Sequence, residues 1–254
     1  MSKINERVAV VTGATGGIGF EVAKRLGNDG FTVVLNGIED QAGAERVAEL
    51  TALGITAEYR GFDVTDEQAV TSNINAIGEK YGKIDVLVNN AGGLGGRSRF
   101  EEMTTEFYRF VMALNLDSTF FASRAAIPFL KKSDYASIIN YTSNAGWNAG
   151  GPGAGIYGTS KAGVHAITRA LAKDLAEYGI RVNAVSPGTI DTPFHAQIKA
   201  TKPEVFASWK NNIMLGRLGQ PEDIAGVVSF LAGRDAAFMT AETIQIGGGQ
   251  ALGI

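Results

Sequence analysis

The feature that most constrains the fold is a regular alternation of short, β-branched apolar runs with longer segments of helical periodicity. The apolar runs cover residues 8–12, 32–35, 86–88, 137–141, 181–185 and 243–246. Helical spacing falls between them, over residues 17–28, 41–53, 66–81, 105–130, 160–178 and 221–231. Apolar strands that alternate with helices form parallel sheets covered on both sides. We therefore predict an α/β fold, a doubly wound parallel sheet with helices on both faces.

The chain of 254 residues is long enough for one large α/β domain, and no Pro- or Ser-rich linker divides it. We predict a single domain over residues 1–254. Periodicity is weaker over about 191–218, and we expect this segment to form a small lid.

Charge and hydropathy exclude several classes of protein. The net charge is −3 and the lysines and arginines are dispersed, which argues against a nucleic-acid partner. No apolar run reaches the roughly 18 to 20 residues of a membrane span, and the first residues lack a signal-peptide stretch. We expect no membrane contact and a cytoplasmic location.

Metal and thiol chemistry are also disfavoured. The chain has no cysteine, so it has no disulfide, thiolate nucleophile or sulfur ligand. Its two histidines, His165 and His195, are isolated in the sequence and form a poor metal set. We predict no metal site.

A glycine-rich turn follows the first apolar run directly and precedes a helical segment. It contains Gly13, Gly17 and Gly19. A pyrophosphate bound at a helix N-terminus needs backbone N–H donors and a close approach that side chains would obstruct. This placement predicts dinucleotide binding by a fold of the Rossmann type.

The turn resembles that of the short-chain dehydrogenase/reductase family, whose motif is T-G-x-x-x-G-x-G. Further matches follow in the family's order and span nearly the whole chain: Asn89-Asn90-Ala91-Gly92, Asn115, Ser143, Tyr157-x-x-x-Lys161 and Pro187-Gly188. The resemblance implies an NAD(P)-dependent enzyme that interconverts a ketone or aldehyde and an alcohol, and a homotetramer.

The resemblance also implies the residues that contact the cofactor. They are Gly13, Thr15, Gly17, Ile18, Gly19, Gly37, Asp63, Val64, Asn90, Ala91, Gly92, Tyr157, Lys161, Pro187, Gly188, Ile190 and Thr192. Asp63 follows the expected third strand, and it is equally explained as a helix N-cap.

The choice between NAD and NADP depends on the end of the second strand. Gly37 occupies the position where the family usually has an acidic residue, Ile38 the position of the usual arginine, and Gly16 that of a common basic residue. The absence of positive charge, with Glu39 and Asp40 nearby, favours NAD(H), and NADP(H) is the alternative. Glu39 is either a ribose contact or a solvated carboxylate.

Hydride transfer at a carbinol carbon requires a proton transfer at its oxygen, and Tyr157 is the candidate acid/base. Lys161 lies one helical turn away, where its charge would favour the phenolate. The resemblance assigns Ser143 to the substrate oxygen, with Thr142 as the competing hydroxyl. It assigns Asn115 to a helix distortion and a proton relay towards Lys161.

One departure leaves the geometry of these residues open. The separation of Ser143 from Tyr157 is one residue longer than in many relatives, and the extra residue lies in 148–155.

Positive groups in the expected loops favour an anionic substrate. They are Arg97, Arg99, His195, Lys199 and Lys202. We expect an oxo acid or a keto sugar acid, for example a keto-deoxy uronate. The stretch 34–37 is similar to that of 3-hydroxybutyrate dehydrogenases, and the overall pattern also fits 3-oxoacyl carrier-protein reductases.

Two other kinds of function stay open. A non-catalytic dinucleotide sensor would not need Ser143, Tyr157 and Lys161, and an epimerase or dehydratase usually carries a larger C-terminal domain. The apolar, glycine-rich tail over 243–254 is expected to be buried at a subunit contact.

Overall fold

Alternate residues of the first strand, β1 (Arg7–Val11), pack into different cores on opposite faces of one sheet. Val8 and Val10 belong to one apolar cluster, and Ala9 and Val11 belong to the other. Burial on both faces is typical of a central strand, and residues 8–11 of β1 are all apolar and buried. The computed structural model describes residues 7–250 of the chain.

Within these residues the sheet has seven parallel strands. After β1 the strands are β2 (Phe31–Gly37), β3 (Ala57–Gly61), β4 (Val86–Asn89), β5 (Ser137–Tyr141), β6 (Arg181–Pro187) and β7 (Thr243–Ile246). Their order is β3-β2-β1-β4-β5-β6-β7. The predicted doubly wound fold of a single domain is confirmed.

Helices cover both faces. They are α1 (Gly17–Asn28), α2 (Asp40–Ala52), α3 (Glu67–Tyr81), α4 (Thr105–Met112), α5 (Ser118–Leu130), α6 (Ala145–Asn148), α7 (Gly155–Leu175), α8 (Ala196–Thr201), α9 (Pro203–Ser208) and α10 (Pro221–Ala232). Apolar residues of α1, α2 and α10 fill one core, and those of α3, α5 and α7 fill the other.

The sequence pattern missed one strand. β3 lies at the edge of the sheet and pairs only with β2, so its residues are half-buried or exposed and include Glu58 and Arg60. A strand of this kind needs no apolar run, and none of the six runs covers it.

Two predicted helices differ in detail. α7 begins at Gly155, five residues earlier than the predicted start at Ser160, and therefore includes Tyr157. The predicted helix over 105–130 is continuous but contains a π-helical turn, Ala113–Asp117.

The segment expected as a lid contains α8 and α9 with short 3-10 turns at Pro193–His195 and Trp209–Asn212. The tail over 243–254 was expected to be buried, but β7 is largely half-buried in the single chain. Residues 251–254 lie outside the described residues.

The fold places one crevice at the centre of the sheet. β1 is bonded to β2 on one side and to β4 on the other, so the chain winds in opposite directions from this point. Ligands of open α/β sheets bind at the carboxyl ends of strands beside such a switch point.

Candidate active site

The glycine turn after β1 brings backbone atoms unusually close together. Gly13 and Gly17 have φ of 62° and 53°, which L side chains rarely adopt. A Cβ on Gly19 would lie 2.3 Å from the carbonyl oxygen of Gly13. The cap residue of α1, Gly16, has no side chain to bond the first N–H groups of the helix. The turn therefore fits a pyrophosphate held by backbone donors.

Two polar residues hold this turn against the end of β4. The hydroxyl of Thr12 accepts hydrogen bonds from the backbone N–H of Asn90 (3.1 Å) and of Ala91 (3.0 Å). The amide Nδ2 of Asn90 donates in return to the carbonyls of Thr12 and Gly13, both at 2.9 Å. Thr12 was not among the predicted site residues, although it opens the glycine motif.

A cavity of about 630 Å³ lies at the carboxyl ends of β1, β4, β5 and β6. Most predicted site residues line it: Gly13, Thr15, Gly17, Ile18, Gly19, Asn90, Gly92, Ser143, Tyr157, Lys161, Pro187, Gly188, Ile190 and Thr192. The sequence analysis did not select several other lining residues, among them Asn144, Thr189, Phe194 and Gln250.

Five predicted residues lie outside this lining: Gly37, Asp63, Val64, Ala91 and Asn115. The Asp63 carboxylate accepts bonds from the N–H and hydroxyl of Thr65, both at 2.8 Å. The interpretation of Asp63 as a helix N-cap is wrong, because Asp66 caps α3 by accepting from Gln68 and Ala69.

Of these five, Gly37 and Ala91 adjoin residues of the cavity wall, whereas Val64 is buried in the apolar core beside α3. Gly37 lies against Thr15, because a Cβ at position 37 would be 2.5 Å from the Thr15 methyl group. Ala91 is held through its backbone by Thr12.

Asn115 lies in the π-helical turn and is fully buried. Its Oδ1 accepts from the N–H of Gly93 at 2.9 Å, and its Nδ2 donates to the carbonyls of Gly93 (2.8 Å) and Val111 (2.9 Å). A Cβ on Gly92 would lie 2.7 Å from Asn115 Oδ1 and 3.0 Å from Lys161 Nζ. Asn115 and Lys161 thus lie on two sides of one glycine.

Both hydroxyls after β5 belong to residues that line the cavity, but only the Thr142 hydroxyl donates to the sheet. Thr142 is buried and donates to the carbonyl of Val185 at 3.0 Å. Ser143 lines the cavity and accepts from the N–H of Ala145 at 3.2 Å. This leaves its own proton free for a ligand or for Tyr157.

The electrostatics of Tyr157 differ from the expectation. Burial raises the pKa of Tyr157, and a hydrogen bond from Ser143 opposes this rise. Lys161 Nζ lies 5.9 Å from the Tyr157 ring centre and donates to the carbonyl of Tyr141 at 2.9 Å. Burial lowers the pKa of Lys161 to about 8. The protein alone therefore keeps Tyr157 protonated at neutral pH.

The extra residue between Ser143 and Tyr157 is absorbed by a glycine-rich loop. α6 ends at Asn148, and the chain turns through left-handed conformations at Ala149 (φ 63°), Gly150 (φ 72°) and Gly153 (φ 77°). Asn148, Gly150 and Gly151 then line the cavity. The loop leaves Ser143 and Tyr157 in the lining of the same cavity.

Four of the five positive groups expected at the substrate site do not line the cavity. Arg97 donates to the carbonyl of Pro152 at 2.8 Å, and Lys199 pairs with Asp191. Arg99 and Lys202 are exposed, and His195 is the one member of the set in the described lining.

The lid instead presents aromatic rings. The His195 ring lies 4.9 Å from Phe194, 5.7 Å from Phe206 and 5.1 Å from Trp209, measured between centroids. Phe194 in turn lies 6.4 Å from the Tyr157 ring. Burial lowers the pKa of His195, with a smaller opposing effect from Asp191, so the imidazole is neutral at pH 7.

Residues 7–250 contain no group of three or more histidine and acidic side chains arranged to hold a metal ion. No helix in this part of the chain has the length and apolarity to cross a membrane.

Comparison with known proteins gives one family. A family model described as "Enoyl-(Acyl carrier protein) reductase" matches residues 13–251. An uncharacterized oxidoreductase of Methylorubrum extorquens is 40% identical over 98% of this chain and 99% of its own. The (S)-acetoin-forming diacetyl reductase of Staphylococcus aureus is 37% identical over 96% of this chain and 98% of its own.

A solved structure of a related reductase has the same fold as this chain. A variant of actinorhodin polyketide ketoreductase, crystallised with NADPH, superposes with a TM-score of 0.92 at 33% identity, covering 99% of both chains. The likeness extends over the whole fold.

Proposed function

Since the chain belongs to the short-chain dehydrogenase/reductase family, and is thus an oxidoreductase acting on CH–OH donors, we propose that it reduces a small, uncharged ketone with NAD(P)H. The observation that carries the proposal is that Ser143 and Tyr157 line the same cavity as the glycine turn.

The glycine turn and the segment from Pro187 to Thr192 are the residues that would hold the dinucleotide. When bound, the nicotinamide supplies the hydride. Ser143 donates a hydrogen bond to the ketone oxygen, which polarises the carbonyl. Tyr157 gives its proton to the same oxygen as negative charge develops there.

Lys161 and Asn115 act behind this pair. The Lys161 ammonium stabilises the phenolate that remains after proton transfer. Asn115 fixes the backbone at Gly93 and so keeps the wall beside Lys161 in place. Because the free protein holds Tyr157 protonated, the site is prepared for ketone reduction at neutral pH.

The cavity lining argues for an uncharged substrate over the expected anionic one. Lys161 is the sole lysine or arginine among the described lining residues, and no carboxylate is among them. Neutral groups fill the substrate end: Asn144, Asn148, Phe194 and His195. A vicinal diketone, the substrate class named for the staphylococcal relative, suits this lining.

The test is a turnover assay that follows NADH and, separately, NADPH absorbance. The substrates are diacetyl, 3-oxoacyl esters, acetoacetate and a keto-deoxy uronate. We expect the highest kcat/KM with an uncharged ketone, and a loss of kcat of at least about 100-fold in Tyr157→Phe.

Each other result has a clear meaning. A higher kcat/KM for acetoacetate or the uronate would refute the uncharged substrate and restore the oxo-acid hypothesis. NADH binding without turnover of any carbonyl would refute the reductase and favour a dinucleotide sensor. Tyr178→Phe, the same change at an exposed tyrosine just after α7, is the control that should keep turnover.

We propose NADH as the preferred cofactor, although the expected absence of positive charge near Gly37 is not what the fold shows. Arg46 of α2 donates from Nε to the carbonyl of Thr15 at 3.2 Å. Its Nη1 is paired with Glu49 at 2.6 Å, and Glu39 is exposed beside the end of β2. These carboxylates support NADH by opposing a 2′-phosphate.

The variant Arg46→Gln tests whether the protein prefers NADH or NADPH. We expect it to change the ratio of kcat/KM for NADH to that for NADPH by less than about three-fold, because the guanidinium is already paired. A preference for NADPH in the wild type that Arg46→Gln abolishes would refute the NADH proposal and assign Arg46 to the 2′-phosphate.

We also propose a homotetramer in the cytoplasm. Exposed aromatic residues on α4 and α5, namely Tyr108, Phe110 and Phe120, support association of the chain. A monomer by size-exclusion chromatography with light scattering would refute the assembly, and cell fractionation tests the location.

A further inference from the structure

We propose that Gln250 is a positioning residue that holds the turn after β6 and thereby sets where the nicotinamide end of the cofactor lies. This inference rests on the proposed function. Gln250 Oε1 accepts from the N–H of Thr189 at 2.8 Å, and Gln250 Nε2 donates to the hydroxyl of Thr189 at 2.9 Å. One side-chain amide thus bonds both the N–H and the hydroxyl of a residue 61 positions away.

The tail that carries Gln250 is packed against this turn without a gap. A Cβ on Gly188 would lie 2.7 Å from Gln250 Oε1 and 2.7 Å from the Cα of Gly247. The N–H of Gly188 donates to the carbonyl of Ile246 at 2.9 Å. Gly188 therefore has space for a hydrogen atom only, and the side chain of Gln250 occupies the adjacent position.

Gln250 also reaches the segment that carries Ser143. Asn144 Nδ2 donates to Gln250 Oε1 at 3.4 Å, and the N–H of Asn144 donates to the carbonyl of Pro187 at 3.2 Å. The turn, the tail and the residue after Ser143 thus meet at one amide group. All three segments line the cavity.

On its other side the turn makes backbone hydrogen bonds. Thr189 accepts at its carbonyl from the N–H of Gly219, at 3.0 Å. With Gln250 removed, the N–H and hydroxyl of Thr189 lose their partners on the cavity side. Small displacements of a ring-positioning segment are costly to hydride transfer, since about 1 Å can lower a rate 100-fold.

Three variants test whether Gln250 positions the turn. Gln250→Met keeps the side-chain length and removes both hydrogen bonds to Thr189, whereas Gln250→Glu keeps one acceptor for the N–H and one for the hydroxyl of Thr189. Thr189→Val removes only the hydroxyl. In the protein without cofactor we measure amide hydrogen exchange over 187–191. We expect exchange at Thr189 about ten-fold faster in Gln250→Met, and within about two-fold of wild type in Gln250→Glu.

Cofactor binding is followed by NADH fluorescence, and turnover by steady-state kinetics. We expect Gln250→Met to raise the NADH Kd and KM about ten-fold and to lower kcat, with Gln250→Glu close to wild type. The effect of Thr189→Val should largely vanish in the Gln250→Met background, because the two residues form one bonded unit.

A merely structural glutamine gives another pattern. Unchanged Thr189 exchange and NADH affinity in Gln250→Met, with only a lower unfolding temperature, would overturn the proposal. So would equal defects in Gln250→Met and Gln250→Glu. If the wild type reduces no carbonyl, the proposed function fails, but exchange and NADH binding still decide the role of Gln250.

Discussion

Replacing Lys161 by methionine should make the protein more stable at neutral pH while abolishing its turnover. Lys161 is buried, and its Nζ has the carbonyl of Tyr141 as its hydrogen-bond partner. A buried ammonium without a carboxylate partner costs stability, and an apolar side chain of similar length removes that cost.

The magnitude follows from the pKa of the lysine. A pKa lowered from 10.5 to about 8 corresponds to a cost of about 3 kcal/mol for burying the ammonium, at about 1.36 kcal/mol per pKa unit. Methionine cannot make the hydrogen bond to Tyr141, and this loss reduces the gain in stability by about 1 kcal/mol. We expect Lys161→Met to raise the free energy of unfolding by about 2 kcal/mol at pH 7.

The stability difference between Lys161→Met and the wild type should depend on pH. Below pH 8 the lysine is protonated in the folded and unfolded states, and the full cost is present. Between pH 8 and 10.5 the unfolded chain binds more protons, so the wild type gains stability as pH rises. The advantage of Lys161→Met should therefore fall by about 2 kcal/mol between pH 7 and about 9.5.

The assay is urea unfolding without cofactor at several pH values. Lys173→Met, which changes an exposed lysine of the same helix, is the control and should alter the free energy of unfolding by less than about 0.5 kcal/mol. A Lys161→Met variant less stable than wild type at pH 7, or a difference independent of pH, would refute the reasoning.

Two further substitutions test the frame of the site. Asn115→Ala removes three hydrogen bonds and leaves two backbone groups of Gly93 unpaired, so urea unfolding should show a loss of about 3 kcal/mol; a loss below about 1 kcal/mol would mean that water replaces the amide. Gly19→Ala places a methyl group 2.3 Å from the Gly13 carbonyl, and NADH titration should show at least about ten-fold weaker binding. Unchanged NADH binding in Gly19→Ala would contradict the model of a tight backbone cradle. The control is Gly226→Ala in α10, where the nearest atom to the new Cβ is Arg25 Nη1 at 4.0 Å; it should stabilise the protein by up to about 1 kcal/mol.

Local patterns were sufficient where the physical cause is local. The order of strands and helices follows from periodicity, because parallel strands buried on both faces need apolar runs and their crossovers need helices. Tyr157 and Lys161 share a helix face because they are four residues apart. The glycine turn could be placed because Gly13 and Gly17 adopt φ values that few other residues tolerate.

Local patterns failed where a neighbour in space decides. β3 is a strand because β2 offers it an edge, although its own residues are largely polar. Tyr157 keeps its proton because burial raises the pKa of its phenol, and burial is a property of the packed cavity. The cations of the loops were misplaced because Pro152 and Asp191 bind Arg97 and Lys199.

The sequence by itself determined the fold class and, through the family motif, predicted the residues that we propose as the catalytic pair, because these depend on spacing along the chain. Only the tertiary structure decided which charges reach the cavity, placed Arg46 beside the glycine turn, and joined Gln250 to Thr189 across 61 residues. No periodicity records such a contact, since its energy arises only after two distant segments have packed together.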